Sequence, residues 1–208
     1  MTTATASDLY PSRVAAGLLE RRDPVVWGKP DDGPLSLLHL RLYEQKGFLV
    51  FEGMFPADEL ALFQQELARL RTDPSVKDRP DVITEPGSGE VRSVFAVHQN
   101  NEILSQLTRD QRVVAIARQL LGGDVYIHQS RVSYKSGFTE KELYWHSDFE
   151  TWHVEDGMPR MRAVSCSISL TDNNPNNGPL MLIPGSHRRP RLRRRAARAG
   201  LSVDAGTR

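Results

Sequence analysis

A histidine and an aspartate two residues apart, His146 and Asp148, could together bind a metal ion. On an extended segment such residues point to the same side, so an imidazole nitrogen and a carboxylate oxygen can reach one ion. A centre of two histidines and one carboxylate with open positions is typical of non-heme Fe(II) oxygenases. The pair alone favours an ordinary surface hydrogen bond, since the chain has six histidines and 26 acidic residues.

The residues around this pair make the metal interpretation specific. Residues 144–162 closely resemble the signature segment of the ectoine hydroxylases, a branch of the phytanoyl-CoA dioxygenase-like superfamily. The resemblance continues through five further segments, which are residues 8–13, 23–26, 82–93, 125–132 and 177–187. It covers nearly all of the chain up to His187, and a match of this length is highly specific.

This resemblance implies a fold and a reaction. The implied fold is α+β or mainly β, a double-stranded β-helix (jelly-roll) with supporting N-terminal helices and with its last strands missing. The implied reaction oxidises ectoine to 5-hydroxyectoine with O₂ and decarboxylates 2-oxoglutarate to succinate and CO₂. It serves compatible-solute synthesis under osmotic or heat stress, and its metal cofactor is Fe(II).

The resemblance also implies roles for five residues. His146 and Asp148 match the iron ligands, and Lys135 matches a position that contacts 2-oxoglutarate, where a cation suits a dicarboxylate. Gln129 and Trp152 match substrate-contacting positions, and an indole face suits the delocalised cation of ectoine. Taken without the family, Lys135 fits a surface lysine, Gln129 a polar strand-edge residue and Trp152 a core residue.

Other polar and aromatic residues near these segments are expected to be structural. The histidines expected to make structural hydrogen bonds are His98, His128 and His153. His187 lies in a Pro-Gly-Ser-His motif that ends a strand in the family and does not supply the metal ligand. We expect Trp145 in the core and Cys166 as a packed small residue, whereas Arg131 either pairs with an acid or faces the site.

The predicted helices all lie within the first 123 residues. Residues 37–45 predict a short helix that stops at Gly47. Pro56 opens a second helix, whose apolar face contains Leu60, Phe63, Leu67 and Leu70. A third helix follows Thr108 and Gln111, which resemble a capping box, and it ends at Gly122-Gly123.

Strand patterns follow the helices, with one earlier candidate. The predicted strands are residues 48–51, 124–134, 161–170 and 180–183, and residues 172–178 form a turn cluster between the last two. Helices followed by short strands predict helices packed on a β-sandwich or barrel.

Composition predicts one soluble globular domain. The 208 residues are 39% hydrophobic and 25% charged, and the single cysteine excludes an internal disulfide. We find no signal peptide or membrane span in the sequence and expect a cytoplasmic protein without membrane partners. The net charge of +1 is uneven, because residues 188–208 contain eight arginines and one acid.

The resemblance ends after His187, where the family continues into further strands. We therefore predict one dioxygenase domain over residues 1–187 and an Arg-rich, disordered tail over 188–208 outside the family fold. The second iron histidine is expected to be absent, and hydroxylase activity to be impaired. The alternatives are a non-catalytic fragment, a binding protein that keeps part of the pocket, and a dioxygenase of another small solute. Ectoine is the expected partner, a homodimer is allowed, and no nucleic acid is expected.

Overall fold

The computed structural model describes residues 8–10, 17–18, 20–135, 145–189 and 191–192. The α-helices among them are α1 (Leu37–Lys46), α2 (Ala57–Thr72), α3 (Pro74–Lys77), α4 (Val97–Asn100), α5 (Glu102–Thr108), α6 (Gln111–Leu121) and α7 (Asp148–Val154). The strands are β1 (Gly17–Leu18), β2 (Val82–Thr84), β3 (Val91–Phe95), β4 (Arg131–Ser133) and β5 (Arg191–Leu192). Short 3-10 turns occupy Pro30–Asp32 and Ser186–Arg188.

Helix α1 confirms the helix predicted before Gly47. The Ser36 hydroxyl accepts a hydrogen bond from the His39 backbone N–H at 3.3 Å and caps the first turn. Gly47 ends the helix with a left-handed φ of 86°, and its N–H donates to the Tyr43 carbonyl at 2.7 Å.

Helix α2 confirms the second predicted helix and supplies one side of the main core. Phe63 and Leu70 are buried, and Leu60 and Leu67 are half-buried on the same face. The cluster of buried side chains around them is Phe55, Phe63, Leu70, Val76, Val91, Val94, Val97, Leu104 and Leu107. Burial of this apolar stripe stabilises α2 far more than its intrinsic propensity does.

Helix α6 confirms the third predicted helix but not its predicted cap. Asp110 caps it, because the Asp110 carboxylate accepts from the Arg112 N–H at 2.8 Å. Thr108 instead ends α5, and its hydroxyl donates to the Ser105 carbonyl. Gly122 ends α6 with a φ of 63°, and an added Cβ there would lie 2.8 Å from the Trp27 backbone.

One three-stranded antiparallel sheet has the order β2-β3-β4. Val94 pairs with Val132 and Phe95 with Arg131, so β4 lies against β3 at the end of the predicted strand over residues 124–134. Only 131–133 of that stretch form a strand. A separate two-residue pairing joins β1 to β5.

The other strand predictions are wrong for the described residues. Residues 48–51 and 180–183 form no strand, and Val50 is 73% exposed rather than buried. Residues 161–170 form no strand either, and their burial alternates only over residues 167–170. Val164, Ile168 and Leu170 are half-buried against the core, and Ser165, Ser167 and Ser169 are exposed. Hydrogen bonds among Asp172, Asn174 and Asn177 confirm the turn cluster.

Two buried polar side chains hold loops onto this framework. The Gln119 amide accepts from the Leu35 N–H at 2.7 Å and donates to the carbonyls of Lys29, Pro30 and Leu35. The Asp23 carboxylate accepts from Arg160 Nε at 2.6 Å and from the Met161 N–H at 2.8 Å. Asp23 therefore ties the N-terminal segment to the chain that follows α7. No α-helix of the described residues has the length and hydropathy needed to cross a bilayer.

Candidate metal centre

Helix α7 carries the aspartate of the His-x-Asp motif. Ser147 has an extended backbone (φ −112°, ψ 127°), and Asp148 is the first helical residue. The segment is therefore extended only up to Ser147, and the prediction of an extended His-x-Asp segment is wrong for its second half. The turn into the helix nevertheless leaves both side chains on one side.

His146 and Asp148 lie close enough to share a metal ion. The distance from His146 Nε2 to Asp148 Oδ1 is 3.6 Å, and about half of each side chain is exposed. Bonds from imidazole nitrogen or carboxylate oxygen to a first-row metal are about 2 Å, so two donor atoms less than about 4 Å apart can contact one ion. The pair fits a metal as two of its ligands.

A third ligand does not join this pair within the described ranges. No cluster of three His, Cys, Asp or Glu side chains suited to a metal occurs there. Residues 136–144 and 193–208 lie outside the described ranges. The expectation that the chain has no third ligand therefore remains a prediction.

The Asp148 carboxylate has a second, well-defined partner. Ser165 Oγ donates a hydrogen bond to Asp148 Oδ2 at 2.6 Å. The neighbouring His146 imidazole lowers the pKa of Asp148 below its usual value. The Ser165 hydrogen bond and the Arg131 charge also lower this pKa, whereas partial desolvation raises it. The aspartate is thus held in the ionised form that a metal requires.

Two residues of this environment were not identified from the sequence. Ser165 received no role, although its position on the small-residue side of the 161–170 alternation was a usable signal. Arg131 was left open between an acid partner and the site, and its charge acts on Asp148. Arg131 is the first residue of β4 and pairs with Phe95 of β3.

Trp152 lies one helical turn after Asp148 on α7. Residues four apart project from the same face of a helix, so the Trp152 indole leaves α7 on the same face as the Asp148 carboxylate. The half-buried Trp152 ring meets the His128 ring edge-on, with centroids 5.5 Å apart. Gln129, which is exposed, follows His128 directly.

Lys135 follows β4 and is exposed. Its aliphatic chain passes over the turn at Gly178, where an added Cβ would lie 3.6 Å from Lys135 Cδ. The ring contact between Trp152 and His128 joins α7 to the segment that carries Gln129. A single cavity shared by Gln129, Lys135 and Trp152 remains a prediction.

A neighbouring face of α7 is anchored in a small core. Phe149 and His153 are buried, and their rings stack at 5.1 Å. The Tyr10 ring meets both edge-on, at 5.4 Å from Phe149 and 6.2 Å from His153. His153 Nδ1 donates to the Met158 carbonyl at 2.8 Å, which fixes the ring orientation.

The remaining expectations for this region divide in two. His153, His98 and His128 make the structural hydrogen bonds that were expected, the last two with Ser130 at 2.6 Å and Asp156 at 3.1 Å. Two expectations are wrong. Trp145 is 55% exposed rather than in the core, and Cys166 is exposed rather than packed.

The Pro-Gly-Ser-His motif contacts the C-terminal end of α1. His187 Nε2 donates to the Glu44 carbonyl at 3.1 Å, and the Gly185 N–H donates to the Lys46 carbonyl at 2.9 Å. Partial burial lowers the pKa of His187 and favours the neutral ring. The motif satisfies carbonyl groups that the end of a helix leaves without partners.

Known proteins resemble this chain in sequence. Two relatives named ectoine dioxygenase, from Stutzerimonas stutzeri (strain A1501) and Streptomyces avermitilis, are each 55% identical to it. The matches cover 88% and 90% of this chain but only 61% and 64% of the relatives. The chain thus spans about three fifths of the length of the curated relatives it matches.

Solved structures resemble it in three dimensions. Crystal structures of EctD from S. alaskensis, one with bound Fe and one with 2-oxoglutarate and 5-hydroxyectoine, superpose with TM-scores of 0.84 and 0.83 at 49% sequence identity. Each match covers 89% of this chain and 67% of the other. A family model described as phytanoyl-CoA dioxygenase (PhyH) matches residues 43–205. Because this match covers most of the chain, the chain belongs to the phytanoyl-CoA dioxygenase (PhyH) family.

Proposed function

We propose that this chain is the part of an ectoine hydroxylase that holds two iron ligands and the ectoine-binding side chains. The balanced reaction converts ectoine, 2-oxoglutarate and O₂ to 5-hydroxyectoine, succinate and CO₂. The observation that carries the proposal is the approach of His146 Nε2 to Asp148 Oδ1 at 3.6 Å. It occurs in a chain that is 55% identical to proteins named ectoine dioxygenase.

The residues of this chain would divide the work as follows. His146 and Asp148 would hold Fe(II), which when bound supplies the redox chemistry that couples O₂ to 2-oxoglutarate decarboxylation and C–H hydroxylation. Lys135 would bind a carboxylate of 2-oxoglutarate through a charge-assisted hydrogen bond. Its exposed position after β4 leaves the ammonium group accessible to such a ligand.

Gln129 and Trp152 would bind the substrate. Ectoine is a small ring with a delocalised cation and a carboxylate, and the Trp152 indole offers a π-face for that cation. Trp152 is held by its place on α7 and by the edge contact with His128, so its ring needs little ordering when the ligand binds. A substrate ring over Trp152 would lie within one helical turn of the Asp148 backbone.

The same proposal extends to the fold and the setting. We propose a jelly-roll framework in which β2, β3 and β4 are part of the sheet. The domain is proposed to end near His187, apart from the short pairing of β5 with β1. The whole protein is proposed to work in the cytoplasm on ectoine, and a homodimer is compatible with this function. The support for the fold is the superposition on the EctD structures with a TM-score of 0.84.

The test is an assay of the purified full chain. It is supplied with Fe(II), ascorbate, 2-oxoglutarate, O₂ and ectoine, and both 5-hydroxyectoine and succinate are measured. The supporting result is ectoine hydroxylation that is weak, because the third iron ligand is predicted to be absent, that is coupled one-to-one to succinate formation, and that His146→Ala abolishes. Succinate formation that ectoine does not stimulate would reject ectoine as the substrate, and failure to release either product would reject hydroxylase activity for this chain.

A further inference from the structure

The two oxygens of the Asp148 carboxylate have different surroundings. Oδ2 accepts the hydrogen bond from Ser165 Oγ at 2.6 Å, whereas Oδ1 lies 3.6 Å from His146 Nε2. We propose that Ser165 is a positioning residue that holds Oδ2 and so presents Oδ1 alone to a metal shared with His146. The inference rests on the proposed iron site and adds a residue to it.

The carboxylate benefits from such a partner because packing alone does not fix its orientation. Rotation about the terminal torsion of aspartate is broad and two-fold, so its oxygens exchange places readily. About half of the Asp148 side chain is exposed, and packing therefore does not fix it. A short hydrogen bond from a hydroxyl to an ionised carboxylate is roughly twice as strong as a neutral one, and it selects one orientation.

The selected orientation has a chemical consequence. A carboxylate that binds through both oxygens occupies two positions around a metal, whereas one that binds through a single oxygen occupies one. The facial arrangement of two histidines and one carboxylate requires positions that stay open. By engaging Oδ2, Ser165 favours single-oxygen binding and keeps a position available for a second ligand.

Ser165 is itself well placed for this task. Its neighbour Val164 packs against the cluster of Leu35, Leu40 and Leu120, and Ile168 packs against the main core. The backbone of residues 161–170 is therefore held by its half-buried side chains while the serines face outward. The serine side chain is short, so its hydroxyl loses little rotamer freedom when it donates to Asp148.

The same stretch provides a matched control. Ser167 follows Ser165 by two residues and is also exposed on the small-residue side. Ser167→Ala removes the same hydroxyl from the same segment without touching the Asp148 hydrogen bond. Ser165→Thr keeps the hydroxyl at the critical position and serves as the conservative variant.

The experiment titrates the full chain with Co(II) and follows the visible d–d absorption, which reports both affinity and ligand geometry. Loss of an outer partner of a metal ligand typically lowers metal affinity 10- to 100-fold. We expect Ser165→Ala to weaken Co(II) binding about tenfold and to alter the band shape, Ser165→Thr to restore most of both, and Ser167→Ala to match wild type. Circular dichroism confirms that each variant is folded.

The outcomes separate this inference from the proposed function. If His146→Ala abolishes Co(II) binding but Ser165→Ala binds with wild-type affinity and spectrum, the positioning role is wrong and the metal site stands. A wild-type chain that does not bind Co(II), or a His146→Ala chain that binds it unchanged, overturns the metal site and this inference together. Equal loss in Ser165→Ala and Ser167→Ala would mean that the segment acts only structurally.

Discussion

Asp23→Ala tests whether the N-terminal segment stabilises the chain that follows α7. The Asp23 side chain is fully buried and accepts hydrogen bonds from Arg160 Nε and from the Met161 N–H. Both donors belong to the chain just after α7. The substitution removes the two acceptors and leaves a buried backbone N–H at Met161 without a partner.

The expected cost follows from these two contacts. A buried donor that loses its acceptor destabilises a protein by about 1–3 kcal/mol, since its desolvation is no longer offset. The Arg160 side chain is 33% exposed, so water replaces part of the lost ion pair. We therefore expect Asp23→Ala to lower the free energy of unfolding by about 2–3 kcal/mol.

Urea unfolding followed by circular dichroism measures this change, with the slope m checked for equality between the proteins. Asp23→Asn should give a smaller loss because the amide oxygen can retain one of the two hydrogen bonds. Asp124→Ala is the control, since Asp124 is almost fully exposed in its ion pair with Arg118 and should change nothing measurable. An Asp23→Ala protein within about 0.5 kcal/mol of wild type would refute the reasoning, because that is the range of neutral surface changes.

Three further predictions concern other parts of the molecule. Gln119→Leu should cost about 3 kcal/mol in urea unfolding, since several buried backbone groups, including the Leu35 N–H, lose their partner; an unchanged midpoint would contradict this. Trp152→Ala should weaken ectoine binding about tenfold by calorimetry and leave Co(II) affinity within about twofold; equal loss of both would make Trp152 structural. The hydrogen bond from Arg69 lowers the pKa of Glu66, so Glu66 contributes stability above its ordinary pKa of 4.5 that is lost as pH falls through the lower folded-state value. Glu66→Gln should therefore flatten the fall in unfolding free energy below pH 4.5, and parallel pH profiles would exclude that contribution.

The helices could be predicted because their signals are local. Gly47 and Gly122 end α1 and α6 with left-handed backbone geometry, which glycine adopts without steric cost. The apolar spacing of Phe63 and Leu70 correctly identified the buried face of α2. The start of α6 was placed on the wrong cap because Asp110 and Thr108 are both good capping residues. Only tertiary structure decides between them.

The strands could not be predicted as well, because a strand exists only when a partner pairs with it. Leu180, Met181 and Ile183 have strand-like side chains, yet they are at least 50% exposed and pair with no strand in the described chain. Residues 167–170 keep the alternating burial of a strand without the pairing. Side-chain pattern therefore predicted which residues face the core, and pairing depended on residues distant in the sequence.

The part of the candidate site that lies within one short motif could be predicted from the sequence. His146 and Asp148 are two residues apart, so local geometry alone brings them together. Ser165 comes to Asp148 from 17 residues further along the chain, and Arg131 comes from β4. No local pattern in either segment predicts its proximity to Asp148, because the packing of β4 and of residues 161–170 brings them near.

Helix α7 explains how one short segment can combine these functions. Its buried pair, Phe149 and His153, packs on Tyr10. Phe149 directly follows Asp148, and His153 directly follows Trp152. Each pair is four residues apart, so the anchoring pair and the site pair lie on neighbouring faces about 6 Å along the axis from end to end. A rigid helix thus fixes the spacing along the axis between Asp148, proposed as a metal ligand, and Trp152, proposed to bind the substrate. Packing on Tyr10 therefore sets the geometry of the site without contacting a ligand.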